Sequence, residues 1–63
     1  MKLSREKINI FMARKQMTVQ QLAVRYGVSR ARMNVILNQR TVSVVSAGRM
    51  AAALDCDIEQ IIE

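Results

Sequence analysis

The narrowest constraint in this chain is the joint between its second and third helical segments. Thr18-Val19-Gln20-Gln21 has a capping-box pattern, with Thr followed three residues later by Gln. The segment it opens, 18–26, turns Leu22, Ala23 and Tyr26 to one face. Gly27 stops that segment at a position suited to positive φ. Only Val28 separates this glycine from Ser29, which is placed to cap a third segment, 29–38. Met33, Ile36 and Leu37 form the inner face of that segment. Helices joined by so short a link must cross at a steep angle, which is the arrangement of a helix-turn-helix.

Three further segments complete the reading. Ser4 caps a helix over 4–16, with Ile8, Phe11 and Met12 on one face and the Lys15 stem beside them. After an irregular stretch at Thr41-Val42, Ser43 caps a helix over 43–54. Its buried stripe is Val44, Ala47, Met50, Ala51 and Leu54. Gly48 lies inside that helix at a cost of about 1 kcal/mol against alanine, which predicts a close helix–helix contact there. Asp57-Ile58-Glu59-Gln60 repeats the box pattern and opens a last helix, 57–63, with Ile58, Ile61 and Ile62 facing in. The expected fold is all-α, a compact domain of five helices. The chain has 63 residues, 51% of them apolar and none of them proline, with Phe11 and Tyr26 as its aromatics. That composition favours packed helices over strands or disorder. A chain this short buries roughly 60% of its unfolded surface, so one domain, 1–63, is expected.

Charge is segregated along the sequence. After Glu6 no acid occurs until Asp55, and between them stand Lys7, Arg14, Lys15, Arg25, Arg30, Arg32, Arg40 and Arg49. Asp55, Asp57, Glu59 and Glu63 gather at the C-terminal end, and the net charge is +5. Solvated helices normally intersperse Glu with Lys and Arg, so an acid-free body points to a polyanionic partner. Enzyme chemistry is not expected: the chain has no histidine, no metal-ligand set and no paired carboxylates outside its acidic end. The single cysteine, Cys56, is expected as a small core residue, and no metal or cofactor is expected. No apolar run approaches the length of a membrane span, and no signal-peptide stretch follows Met1, so no membrane partner and a cytoplasmic location are expected.

The segments "MTVQQLAVRYGVSRARMNVILNQR" and "MAAALDCDIEQII" together resemble the lambda-repressor-like helix-turn-helix domain of the Cro/repressor (XRE) family. Thr18 supplies the small polar cap, Leu22-Ala23 the close helix crossing, and Tyr26-Gly27-Val28 the hydrophobe-Gly-hydrophobe turn. Met33 and Ile36 match the inward pair of the third helix, and Ala53-Leu54 the pair before the last turn. Cys56 and Ile58 fall in apolar slots. With the first helix included, the resemblance covers essentially the whole chain. It implies that the N-terminal part of the third helix enters the major groove of duplex DNA.

The resemblance also implies roles. Arg30, Ala31, Asn34 and Val35 become the base-contacting set, with Ser29 at the start of the same face. Arg30 suits guanine O6 and N7, Asn34 suits adenine N6 and N7, and Ala31 and Val35 suit thymine methyls. Backbone contacts fall to Ser29, Arg32, Asn38, Arg40, Thr41 and Ser43, and to the amides of Val19 and Gln20 at the start of the second helix. Lys7, Arg14 and Lys15 add long-range attraction, whereas Arg25 reads as solvated. Three positions depart from the family pattern. Val19 stands where members commonly carry a phosphate-holding Gln. Gln39 stands where the third helix often ends in glycine, which leaves Asn38 or Gln39 to take the turn. Met12 and Leu37 stand where many members pair an arginine with a glutamate. Exchanging an ion pair for an apolar pair is often neutral or stabilising, because no charge is desolvated.

The function expected is that of a sequence-specific transcription regulator, similar to small phage or mobile-element repressors and acting in the cytoplasm of a bacterial host. The partner would be a double-stranded, palindromic operator. Two half-sites about 34 Å apart require self-association, expected as a weak homodimer formed or strengthened on DNA. Exposed apolar residues near Val42, Val44, Val45 and Ile61-Ile62 are the candidates for that interface, and the sequence is equally compatible with a fragment of a longer repressor. The alternative is an antitoxin-like or other protein-interaction module on the same fold. Single-stranded RNA is disfavoured by the lack of stacking aromatics.

Overall fold

Each helix starts where a hydroxyl side chain satisfies an amide that the helix cannot. The computed structural model describes residues 1–39 and 41–63. Helix α1 spans Arg5–Arg14, α2 Val19–Tyr26, α3 Arg30–Asn38 and α4 Val44–Leu54. The side chains of Ser4, Thr18, Ser29 and Ser43 accept hydrogen bonds from the amides of Lys7, Gln21, Arg32 and Ser46 at 3.1–3.2 Å. Gln21 reciprocates, its side-chain oxygen accepting from the Thr18 N–H at 2.9 Å, which completes the capping box. A cap of this kind contributes about 1 kcal/mol.

The helix ends differ in chemistry. Gly27 takes φ +96 and closes α2, and the Gly27 and Val28 amides both donate to the Ala23 carbonyl, at 2.8 and 3.0 Å. α1 stops at Arg14, short of the expected Gln16, because Gln16 itself turns left-handed at φ 51 and the Met17 amide folds back to Met12 O at 2.8 Å. Lys15 caps the helix end, with its side chain 32% exposed. Asp55 takes the same left-handed role after α4, at φ 54. α3 ends without such a residue: Gln39 is extended, at φ −72. Nothing at that position therefore requires the glycine of the family pattern.

α2 is the hub, packing against both α3 and α4. Leu22, Ala23, Met33, Met50 and Leu54 are fully buried at the centre. Ala23, whose side chain is a single methyl, is fully buried and lets the neighbouring helices approach closely. Met12 and Leu37 are both buried in the same core, so an apolar pair occupies the positions of the family's ion pair.

The expected fifth helix over 57–63 is instead a short 3-10 turn, Ile58–Gln60. Gln60 does reach back, its side-chain oxygen accepting from the Asp57 N–H at 3.0 Å. Beyond it the chain extends, and Leu3 forms an isolated antiparallel bridge with Ile62. Ser4 N donates to Ile61 O at 2.7 Å and Glu63 N to Lys2 O at 3.0 Å. The Val42 amide donates to Met1 O at 2.8 Å. Residues 1–4 thus lie between the C-terminal end and the segment before α4. Pairing to this N-terminal segment takes the backbone groups that another helical turn would have used.

Two corrections concern α4. Val44 is not part of the buried stripe but 70% exposed, while Val42, expected at the surface, is buried. Val42 precedes the Ser43 cap and Ala47 sits at the fourth helical position, the two sites of a hydrophobic staple, and both are buried. Gly48 makes no close helix contact, since a Cβ there would meet nothing within 4 Å. Ala47, Ala51 and Ala53 are the small residues buried on this helix.

Candidate nucleic-acid interface

The candidate surface follows from what the core takes from α3. Met33, Ile36 and Leu37 are buried and pin the helix from behind. Arg30, Ala31, Asn34, Val35 and Asn38 are all exposed. Their spacing, in steps of one, three and four, places them on one face. Val35 is 48% exposed, an apolar side chain that the core does not use. Arg32 is exposed on the flank of this face. The ion pair found among the described residues is Lys15–Asp55, at 3.9 Å on the surface. Arg30 and Arg32 therefore carry charge that no carboxylate among the described residues offsets.

The backbone-contact candidates divide by how their groups are already engaged. The Ser29 and Ser43 hydroxyl oxygens accept from their helix amides, which leaves each O–H free to donate to an outside acceptor. Asn38, Thr41 and Gln20 are exposed. Val19 is partly buried against the core, so it offers its amide and not its side chain. Thr18 and Gln21 are locked in the capping box. Gln20 is therefore the uncommitted polar side chain at the start of α2, beside the first helical amides and the positive end of the helix dipole. Arg40 lies outside the described residues.

The other basic residues occupy varied settings. Lys7 Nζ donates to Ile62 O at 3.0 Å. The Arg14 guanidinium lies 5.6 Å from the Phe11 ring centroid. Arg25 is exposed, as expected for a solvated residue. Arg49 has a role that sequence reasoning missed. Its Nη2 donates to the Tyr26 carbonyl at 2.6 Å, and its guanidinium carbon lies 4.3 Å from the Tyr26 ring centroid. The available signal was weak: an arginine on α4 and a tyrosine ending α2, far apart in sequence.

Among the described residues no cluster of His, Cys, Asp or Glu could hold a metal ion. Cys56 is half-buried, and burial pushes its thiol pKa up, helped by the Asp57 and Asp55 carboxylates and partly opposed by Lys15. No helix of the described residues is long and apolar enough to cross a membrane.

Two packed helices joined by the short turn Gly27–Ser29, the second acid-free, anchored from behind and exposed on its outer face, fit the helix-turn-helix class of DNA-binding folds. Residues 7–63 match the family model of the Cro/C1-type HTH DNA-binding domain, and the chain belongs to that family. Searches of curated proteins and of solved structures gave no significant match.

Proposed function

We propose that this protein is a sequence-specific transcription regulator of the repressor type, similar to those of phages and mobile elements, and that residues 1–63 act as one DNA-binding unit in the bacterial cytoplasm. The observation that carries this reading is the exposed, acid-free face of α3, held rigidly by Met33, Ile36 and Leu37. Arg30 and Asn34 supply the hydrogen-bonding patterns of guanine and adenine, and Ala31 and Val35 the apolar contact for thymine methyls. Ser29, Arg32, Asn38, Arg40, Thr41, Ser43 and the Val19–Gln20 amides set the register on the phosphates.

A palindromic operator would place two copies about one helical turn apart. Val44 and Val45, 70% and 72% exposed, remain candidates for the contact between copies, whereas Val42 and Ile61 are buried and drop out. The same exposed pair is what favours the second reading, a protein-interaction module of antitoxin type.

Fluorescence anisotropy with labelled duplex DNA over a range of salt concentrations tests the proposal. Each phosphate neutralised contributes a log–log slope of about −0.9, so several contacts give a steep fall of affinity with salt. Absence of duplex binding at low salt, or a flat salt response, would sink the proposal.

A further inference from the structure

We propose that Arg49 is a positioning residue for the recognition helix: a clamp from α4 that fixes the α2–α3 corner. This inference rests on the DNA-binding reading above. Arg49 is one of the eight basic residues in the acid-free stretch, and by sequence alone it looks like another DNA-seeking charge. Although the residue is exposed, its guanidinium is engaged within the chain. Nη2 donates to Tyr26 O at 2.6 Å, and the guanidinium stacks on the Tyr26 ring with its carbon 4.3 Å from the centroid. Both contacts are to the last residue of α2.

That carbonyl lies at the hinge of the motif. The carbonyls of the last helical turn have no amide of their own helix to accept from, and the positive charge of Arg49 complements the negative end of the α2 dipole. Immediately after Tyr26 come Gly27 at φ +96, Val28 and the Ser29 cap of α3. The Gly27 and Val28 amides share one acceptor, Ala23 O. A Cβ on Gly27 would approach Arg49 Nη2 to 3.3 Å, so the guanidinium packs directly against the turn. The peptide plane after Tyr26 sets the direction in which α3 departs. α4 packs mainly on α2, and Arg49 extends that support to the joint. Planar guanidinium suits this place better than ammonium, since it can stack on a ring and donate in its own plane at once.

The test compares wild type, Arg49→Ala and Arg49→Lys by amide exchange without DNA and by DNA binding at several salt concentrations. The clamp predicts faster exchange at Gly27 and Val28 in Arg49→Ala, with the Ser4 amide, bonded to Ile61 O across the domain, unchanged. A merely stabilising role would accelerate all three alike. If only a tenth of folded molecules hold α3 correctly, specific affinity falls about tenfold, with the salt slope unaltered and part of the loss recovered in Arg49→Lys. A drop in the slope magnitude of about 0.9 would make Arg49 a phosphate contact and overturn the proposal. Unchanged affinity with unchanged local exchange would overturn it as well. Where Arg49→Ala does not fold, Arg49→Met keeps the apolar stem over Tyr26 and serves in its place. If the wild type binds no duplex, the regulator reading fails, and the exchange at Gly27 and Val28 still decides whether the clamp exists.

Discussion

Replacing each of the two glycines by alanine should move stability in opposite directions. At Gly27 the backbone holds φ +96. A left-handed conformation costs an L-residue about 1–2 kcal/mol. The new Cβ would also lie 3.3 Å from Arg49 Nη2, which is held in place by its bond to Tyr26 O. Giving way by a few tenths of an ångström weakens, without removing, a charge-assisted hydrogen bond whose full loss would cost about 1.5–3 kcal/mol. Against this, alanine narrows the unfolded ensemble and returns about 0.4–1 kcal/mol. Gly27→Ala should therefore cost about 1–3 kcal/mol net. Gly48 lies inside α4 with normal φ and open space around the Cβ position. Gly48→Ala should stabilise by about 0.5–1 kcal/mol through helix propensity alone. In a domain of this size 1 kcal/mol moves Tm by roughly 4–8 °C, so thermal melts followed by circular dichroism resolve both changes, and urea titrations give the free energies. Equal shifts for the two variants, or a rise in Tm for Gly27→Ala, would refute the account of the turn.

Other perturbations have equally definite outcomes. Ile61→Ala should cost about 2–5 kcal/mol, because Ile61 is fully buried although it follows the last helical turn; a near-neutral melt would place it at the surface. Thr18→Ala should lose about 1 kcal/mol by removing the hydroxyl half of the capping box, read from urea unfolding. The raised pKa of Cys56 means that the unfolded chain loses its thiol proton first. Any contribution to stability is then constant below the ordinary thiol pKa and declines as pH rises through the native value. Alkylation by iodoacetamide should accordingly be slower in the native protein than in urea at the same pH, and equal rates would contradict the burial.

Much of the fold is legible because it rests on local chemistry. Ser4, Thr18, Ser29 and Ser43 each start a helix by a one-residue mechanism, and Gly27 with Val28 sets the corner. The recognition surface emerges by subtraction, since Met33, Ile36 and Leu37 declare which face of α3 is inward. What escapes the sequence depends on partners distant along the chain. Ile58, Ile61 and Ile62 have a spacing compatible with a helix, but so short a helix is costly to nucleate, and the N-terminal residues take the Ile61 carbonyl and the Glu63 amide instead. Lys2-Leu3-Ser4 gives no sign of such a bridge. Val44 fits the helical stripe by period, yet it sits at the first helical position, and Val42 before the cap is the valine that reaches the core. Arg49 is indistinguishable from its basic neighbours until α4 is laid beside the end of α2.

The central claim is that the exposed face of α3 reads base sequence. Selection of bound molecules from a random duplex pool, carried out in parallel with wild type, Arg30→Ala and Asn34→Ala, tests it most directly. The account predicts that wild type enriches a defined motif with two-fold symmetry. Each variant should lose information at its own base pair in both half-sites, with about 1–3 kcal/mol of discrimination removed, and keep the motif elsewhere. Indiscriminate binding of the pool by wild type and variants alike would contradict it.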